Sequence, residues 1–269
     1  MTEPENITPV GRRFGLQANR YGAVSGVQGR LADLLWTQTQ PYLPESLNAV
    51  IEIGPGTGHL SRRIASAKPQ ELHLLDLSPE MLAQSHHRLM TEYPDQTVVL
   101  HQGDAEYWTP HGNIPPVTLV ASSATVQWFQ DLPAFFHRMV QWGTPQCTFA
   151  LATFGPQTLR ELHEAYRAST GNALTPGTRM HSASDLASFA EQAGLTVVNQ
   201  GKIMHKAFHD SPRAMLADLK SMGVTGGNSS KGISRISLLE LETRLWEFAL
   251  APGGQIQSTW DLVWLVAKA

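Results

Sequence analysis

The chain holds a single cysteine, Cys147, among 269 residues, so neither an internal disulfide nor a multi-thiolate zinc centre can be built from it. A reducing cytoplasm is the expected compartment. An excess of one charge is missing too. The 20 Lys plus Arg stand against 23 Asp plus Glu, a formal −3 with a pI near 6.4. That supplies no general field for a polyanion and argues against a nucleic-acid partner. No apolar run approaches the ~18 residues of a membrane span. The opening MTEPENITPV lacks the charged start and apolar core of a secretory leader, so neither secretion nor a membrane is expected. Eleven histidines, His86, His87 and His163 among them, come without an accompanying ligand set, and no metal is expected.

From residue 47 onward, short β-type runs alternate with helical patterns, which predicts crossover units and a mainly parallel sheet. Strands are expected at 49–53, 71–76, 97–101, 117–122 and 147–153. Ser78-Pro79 and Asp131-Leu132-Pro133 supply N-caps with prolines in the first turn, marking two helix starts. Another helix is expected at 58–67. Before the first strand, Val27, Leu31, Leu34 and Leu35 recur at helical spacing over 27–37. After residue 153 the alternation breaks. Helices are expected at 158–168 and 184–193 around a Gly/Thr/Pro-rich loop, then a strand at 196–208, helices at 211–222 and 237–250, and a closing strand at 259–267. The glycine-rich 223–232 reads as a loop. The chain is expected to be one α/β domain over 1–269: a Rossmann-like, seven-stranded, mainly parallel sheet with helices on both faces. An N-terminal arm (1–46) and a helical cap (about 155–194) complete it.

The strongest local signal is Val50-Ile51-Glu52-Ile53-Gly54-Pro55-Gly56-Thr57-Gly58. An apolar strand runs into alternate glycines and then a helix, so the backbone can turn tightly and admit a ligand at close range. No Gly-Lys-Ser/Thr follows, which excludes a phosphate loop. The third glycine comes two residues after the second rather than three, which disfavours the dinucleotide fingerprint. This spacing, with Glu52 at the strand end, resembles motif I of the class I S-adenosylmethionine (SAM) methyltransferases. Asp76 ends the second strand 18 residues beyond Gly58, followed by Leu77, where a carboxylate can accept both ribose hydroxyls of an adenosyl ligand. Gln102-Gly103-Asp104-Ala105-Glu106 resembles the methyltransferase segment whose acid and next backbone amide meet the adenine edge. SAM is therefore the expected cofactor, held by Glu52, Gly54, Gly56, Gly58, Asp76, Leu77, Asp104, Ala105 and Ser123.

No Asn/Asp-Pro-Pro-Tyr amine signature follows the fourth strand. In its place stands Ser122-Ser123-Ala124-Thr125-Val126-Gln127-Trp128-Phe129. With Ala152-Thr153-Phe154-Gly155, Leu159-Arg160-Glu161-Leu162-His163, Gly177-Thr178-Arg179, Leu219-Lys220 and 223–227, this resembles the malonyl-[acyl-carrier protein] O-methyltransferases of biotin synthesis, the BioC type. Phe14, Tyr21 and Gln28 match as well, so the resemblance covers nearly the whole chain. Two departures are Ser123 where the family usually has Asn, and Thr259-Trp260-Asp261 where it has Thr-Tyr-His.

The resemblance implies methyl transfer to the free carboxylate of a malonyl thioester. A carboxylate with a pKa near ~4 is ionised at neutral pH, so no catalytic base is needed. Arg179 is the candidate for holding it by a two-point hydrogen bond, with Tyr21 and Trp128 closing the chamber and Phe14, Gln28, Gln127 and Lys220 as substrate-side candidates. An acyl carrier protein is the implied partner. Between 199 and 235, Lys202, Lys206, Arg213, Lys220, Lys231 and Arg235 outnumber Asp210 and Asp218, which suits an acidic carrier. The alternatives are a carboxyl methyltransferase for a small free acid such as aconitate, and a non-catalytic SAM-binding assembly partner.

Overall fold

Seven strands form one sheet: β1 (Ala49–Ile53), β2 (Glu71–Asp76), β3 (Val98–Gln102), β4 (Val117–Ser123), β5 (Thr148–Phe154), β6 (Thr196–His209) and β7 (Ile256–Lys268). Their order is β3-β2-β1-β4-β5-β7-β6, parallel except for β7. The computed structural model describes residues 26–174, 178–221 and 235–269. Phe14, Tyr21, Gly177, Lys231 and the expected loop at 223–232 lie outside the described residues.

The helices are α1 (Gly26–Thr39), α2 (His59–Ser66), α3 (Pro79–Glu92), α4 (Leu132–Met139), α5 (Arg160–Thr170), α6 (Ala183–Gln192), α7 (Pro212–Ser221) and α8 (Arg235–Ala249). Local chemistry sets their starts. The Ser78 hydroxyl accepts from the Met81 amide at 3.2 Å and Asp131 from the Ala134 amide at 3.0 Å, the capping bonds that the sequence implies. Ser182 and Asp185 form a reciprocal capping box.

Both faces of the sheet are covered, so β1 and β5 are buried at every residue, as parallel strands between two helix layers must be. On one face α1, α2 and α3 bury Leu31, Leu35, Leu60, Ile64, Leu82 and Leu89. On the other, Phe135 and Phe136 of α4 pack with Leu186 and Ala190 of α6 against Val263 and Leu265. The stretch 155–194 expected to form a cap holds two helices. Its second helix, α6, buries its apolar side against the sheet, whereas α5 packs with α8 and β7, joining Leu162 to Leu241 and Leu245. Amphipathic spacing shows that a helix buries one side without naming the surface that covers it.

β7 outruns β5. Phe154 pairs with Leu262, while β6 continues alongside β7 to the His209–Ile256 pair. The segment after β5 takes over the vacated edge. Gly155 N–H donates to the Asp261 carbonyl at 2.7 Å, Leu159 N–H to the Thr259 carbonyl at 2.6 Å, and Asp261 N–H to the Thr158 hydroxyl at 3.1 Å. Strand order reverses between β1 and β4, and open α/β sheets bind ligands in the crevice beyond the carboxyl ends at such a switch point.

Candidate functional site

The glycine loop spans this switch point. Gly54, Gly56 and Gly58 all have left-handed φ, 64°, 53° and 83°, a region that favours glycine. Each holds the turn differently. A Cβ on Gly54 would run into the Thr125 side chain; one on Gly56 would meet nothing within 4 Å. Gly54 N–H donates to the Leu75 carbonyl at 2.8 Å, Ser122 Oγ to the Ile53 carbonyl at 2.9 Å, and Arg88 Nη1 to the Thr57 carbonyl at 2.7 Å. The loop is thus pinned from β2, β4 and α3, with open space above Gly56.

Two acids stand at the strand tips. Glu52 is buried, its Oε2 without a hydrogen-bond partner. Burial raises its carboxyl to about 8, opposed by Ser61 and reinforced by the charge of Asp76. Asp76, half-buried, is raised to about 6 by burial, while the amides of Ser78, Gly56 and Leu77 pull it back. Its Oδ1 accepts from the Ser78 amide at 2.9 Å. Near the end of β3, Asp104 Oδ1 accepts from the Glu106 amide at 3.0 Å and Ala105 is buried. Ser123, at the tip of β4, has a buried hydroxyl without a partner. Orphaned buried polar atoms beside open space are what a polar ligand is suited to satisfy, so this cradle fits an adenosyl group.

A second wall follows β4. Ala124 has a φ of 57°, and the chain then makes a 3₁₀ turn over Val126–Trp128. Gln127 is buried with both ends of its amide engaged, Nε2 donating to the Ala124 carbonyl at 2.8 Å and Oε1 accepting from Thr153 at 2.9 Å. It fixes this wall internally. Trp128 is half-buried beside it. Arg179 is brought to the same place: its N–H donates to the Gln127 carbonyl at 3.1 Å and its Nη1 to the Gln130 carbonyl at 2.8 Å. Gln28 lies in the first turn of α1, where a Cβ on the adjacent Gly29 would approach His59 Nδ1 at 3.3 Å, so this end of α1 adjoins the glycine loop. Lys220 is exposed in the last turn of α7. Tyr21 and Phe14 lie outside the described residues.

Three side chains lie within the motif segments but have no role that the motifs assign. Glu106 is buried and accepts from the Gln130 and Asp131 amides at 2.9 and 2.8 Å, tying the segment after β3 to the β4–α4 loop. Thr125 Oγ1 lies 3.2 Å from the Gly54 carbonyl, filling the space that Gly54 leaves. Glu161 is buried and accepts from the Thr259 amide at 3.0 Å, the Thr259 hydroxyl and Gln257 Nε2. Their partners are remote in sequence, so only the adjacency of Glu106 to the Gly-Asp-Ala run was a usable signal. Of the family departures, the run at 259–261 is interior. Trp260 packs on Phe154 with ring centroids 5.1 Å apart, and buried Asp261 accepts from the Gln157 amide at 3.2 Å. Among the described residues no cluster of three or more potential ligands is placed to hold a metal ion, and no described helix is long and apolar enough to cross a membrane.

Residues 50–146 match the methyltransferase domain family, and sheet order and glycine loop together define the class I methyltransferase fold. The [4+2]-cyclase SpnF shares that fold with a TM-score of 0.61 at 13% identity, over 96% of this chain and 94% of its own. A malonyl-[acyl-carrier protein] O-methyltransferase of Bacteroides thetaiotaomicron is 30% identical, over 82% of this chain and 79% of that protein. The chain belongs to that family. Another member, from Bacteroides fragilis, is 29% identical over 98% of this chain. The chain spans about half of that relative's length, 52%.

Proposed function

We propose that the chain methylates the free carboxylate of a malonyl thioester on an acyl carrier protein, with SAM as donor, as an early step of biotin synthesis in the cytoplasm. The observation that carries this is the reach of the family match, 82% of the chain, well past the methyltransferase domain at 50–146. The cyclase neighbour makes the point from the other side, since fold alone does not select the reaction.

The donor supplies an electrophilic methyl on a sulfonium. The chain's own residues do the rest. Asp76 would accept the ribose hydroxyls, Asp104 and the Ala105 amide would meet the adenine edge, and the open face of Gly56 would let the backbone approach. Ser123 and Glu52 offer the unsatisfied oxygens on either side. The acceptor arrives ionised, so no side chain has to remove a proton. What matters is alignment. Arg179 is fixed through its own N–H and one of its five guanidinium donors to the loop after β4, which leaves it set to orient a carboxylate bidentately. Trp128 forms the wall beside it. A cationic donor and an anionic acceptor neutralise each other on transfer, so excluding water raises the ground state relative to the transition state.

The test is methyl transfer from labelled SAM to malonyl carrier protein, with aconitate and related free acids in competition. Label in a base-labile ester on the malonyl thioester is expected. A higher kcat/KM for a free acid overturns the acceptor assignment, and calorimetric failure to bind SAM overturns the catalytic reading altogether.

A further inference from the structure

The outer strand of the sheet carries a pattern that the cofactor cradle does not use. Beyond the irregularity between Val197 and Asn199, β6 pairs regularly with β7, so Lys202, Met204, Lys206 and Phe208 share one side of the strand. The lysines are exposed, Met204 is 40% exposed and Phe208 51%. Their partners on β7 are Val263, Asp261, Thr259 and Gln257, and the last three lie past the end of β5. The strip therefore flanks the carboxyl tips of the parallel strands, the end at which the candidate site is built.

Neighbouring acids are already engaged. Asp261 and Glu161 are buried, one Asp261 oxygen accepting from Gln157 and Glu161 from Thr259; Asp218 holds His209 Nδ1 at 2.9 Å, and exposed Asp210 accepts from Gln255 Nε2 at 3.4 Å. Among the other cations of this region, Arg213 is paired with Glu242 at 3.1 Å. Lysines on an edge strand commonly guard against pairing with another sheet. That role gives no reason for two large apolar side chains to alternate with them in the open.

We propose that the Lys202–Phe208 face is the docking surface for the acidic carrier protein, its carboxylates meeting the two lysines and an apolar patch of the carrier covering Met204 and Phe208. This rests on the malonyl-carrier reading. Opposite charge across such a contact raises the encounter rate and is weakened by salt.

The experiment compares malonyl carrier protein with malonyl-N-acetylcysteamine, a carrier-free thioester, as acceptors for wild type, Lys202→Glu/Lys206→Glu and Met204→Ser/Phe208→Ser. Expected is a loss of roughly ten-fold or more in kcat/KM on the carrier, mostly in KM, with the small thioester changed less than about two-fold. The steep salt dependence of the wild type should flatten in the charge-reversed variant. Unchanged carrier kinetics overturn the docking surface, and a charge-reversed variant that merely self-associates on gel filtration assigns the lysines to edge protection. Equal losses on both acceptors also overturn it. Wild type inactive on both thioesters overturns the functional reading beneath it.

Discussion

Gly54 and Gly56 are two residues apart with similar left-handed φ, 64° and 53°, yet different pressures keep each a glycine. At Gly54 a Cβ would strike Thr125; at Gly56 it would enter open space. Gly54→Ala is expected to lose about 2–4 kcal/mol of stability from backbone strain plus overpacking. Gly56→Ala should lose about 1 kcal/mol from strain alone, while its methyl obstructs the cofactor. Thermal denaturation beside calorimetric SAM titration separates the two, and equal destabilisation would contradict the assignment. Asp76 adds a pH signature. With its carboxyl raised to about 6 by burial, only the ionised form accepts both ribose hydroxyls, so cofactor binding expels a proton at mildly acidic pH. SAM affinity should fall about ten-fold between pH 7.5 and 5. In Asp76→Ala it should be roughly 10–100-fold weaker and lack that pH dependence, whereas Arg179→Ala should leave SAM affinity intact and impair acceptor use. A wild-type affinity flat across that pH range would rule out Asp76 as the ribose acceptor.

At the level of elements, Glu161 does for β7 what β5 has stopped doing, accepting the Thr259 amide that no strand reaches. Burial pushes its carboxyl up, but hydrogen bonds from Thr259 and Gln257 outweigh it and hold it below the ordinary value. A lowered folded-state pKa contributes stability above the ordinary carboxylate range, lost as pH falls through the folded value. Glu161→Ala should therefore cost about 3 kcal/mol by leaving a buried N–H unpaired, and Glu161→Gln about 1 kcal/mol; faster hydrogen exchange at Thr259 would locate the effect. An unaltered exchange rate there would refute it. None of this was legible in the sequence, because Glu161 and Thr259 are 98 residues apart. The parallel strands were legible: apolar runs bounded by Gly, Pro and caps mark β1, β2 and β4 to within a residue. β7 begins at Ile256, three residues before the expected start, since Gln257 and Ser258 carry no apolar alternation. The residues of the candidate cradle could be named for the same reason as the strands, being tied to one strand-to-turn transition each. The contacts of Arg179 were not legible, because it reaches Gln127 and Gln130 only through the folded chain.

For the molecule as a whole, placing carboxyls at the tips of strands buried on both faces couples the cofactor cradle to global stability. Below about pH 8 the folded chain keeps a proton on Glu52, raised there by burial. The unfolded chain, at the ordinary 4.5, releases it. The folded state thus binds more protons, and stability rises as pH falls from about 8.5 toward 6.5. Below that the histidines impose the opposite slope and outnumber Glu52 and Asp76, whose raised carboxyls still favour the folded state there. Burial lowers His59, His73, His101, His163, His181 and His205 from their ordinary 6.5, His101 to about 4. The unfolded chain then takes up protons that the folded chain refuses, so acid destabilises. Together the two slopes predict a Tm maximum for the cofactor-free protein near pH 6.5, from which the alkaline descent belongs to Glu52. Glu52→Gln, which cannot ionise, should flatten Tm between about pH 7 and 8.5 and steepen the acid limb, since the Glu52 carboxyl otherwise goes on adding stability down to its ordinary 4.5. If the variant kept the wild-type decline on the alkaline side, the buried carboxyl beneath the glycine loop would not be the group that titrates.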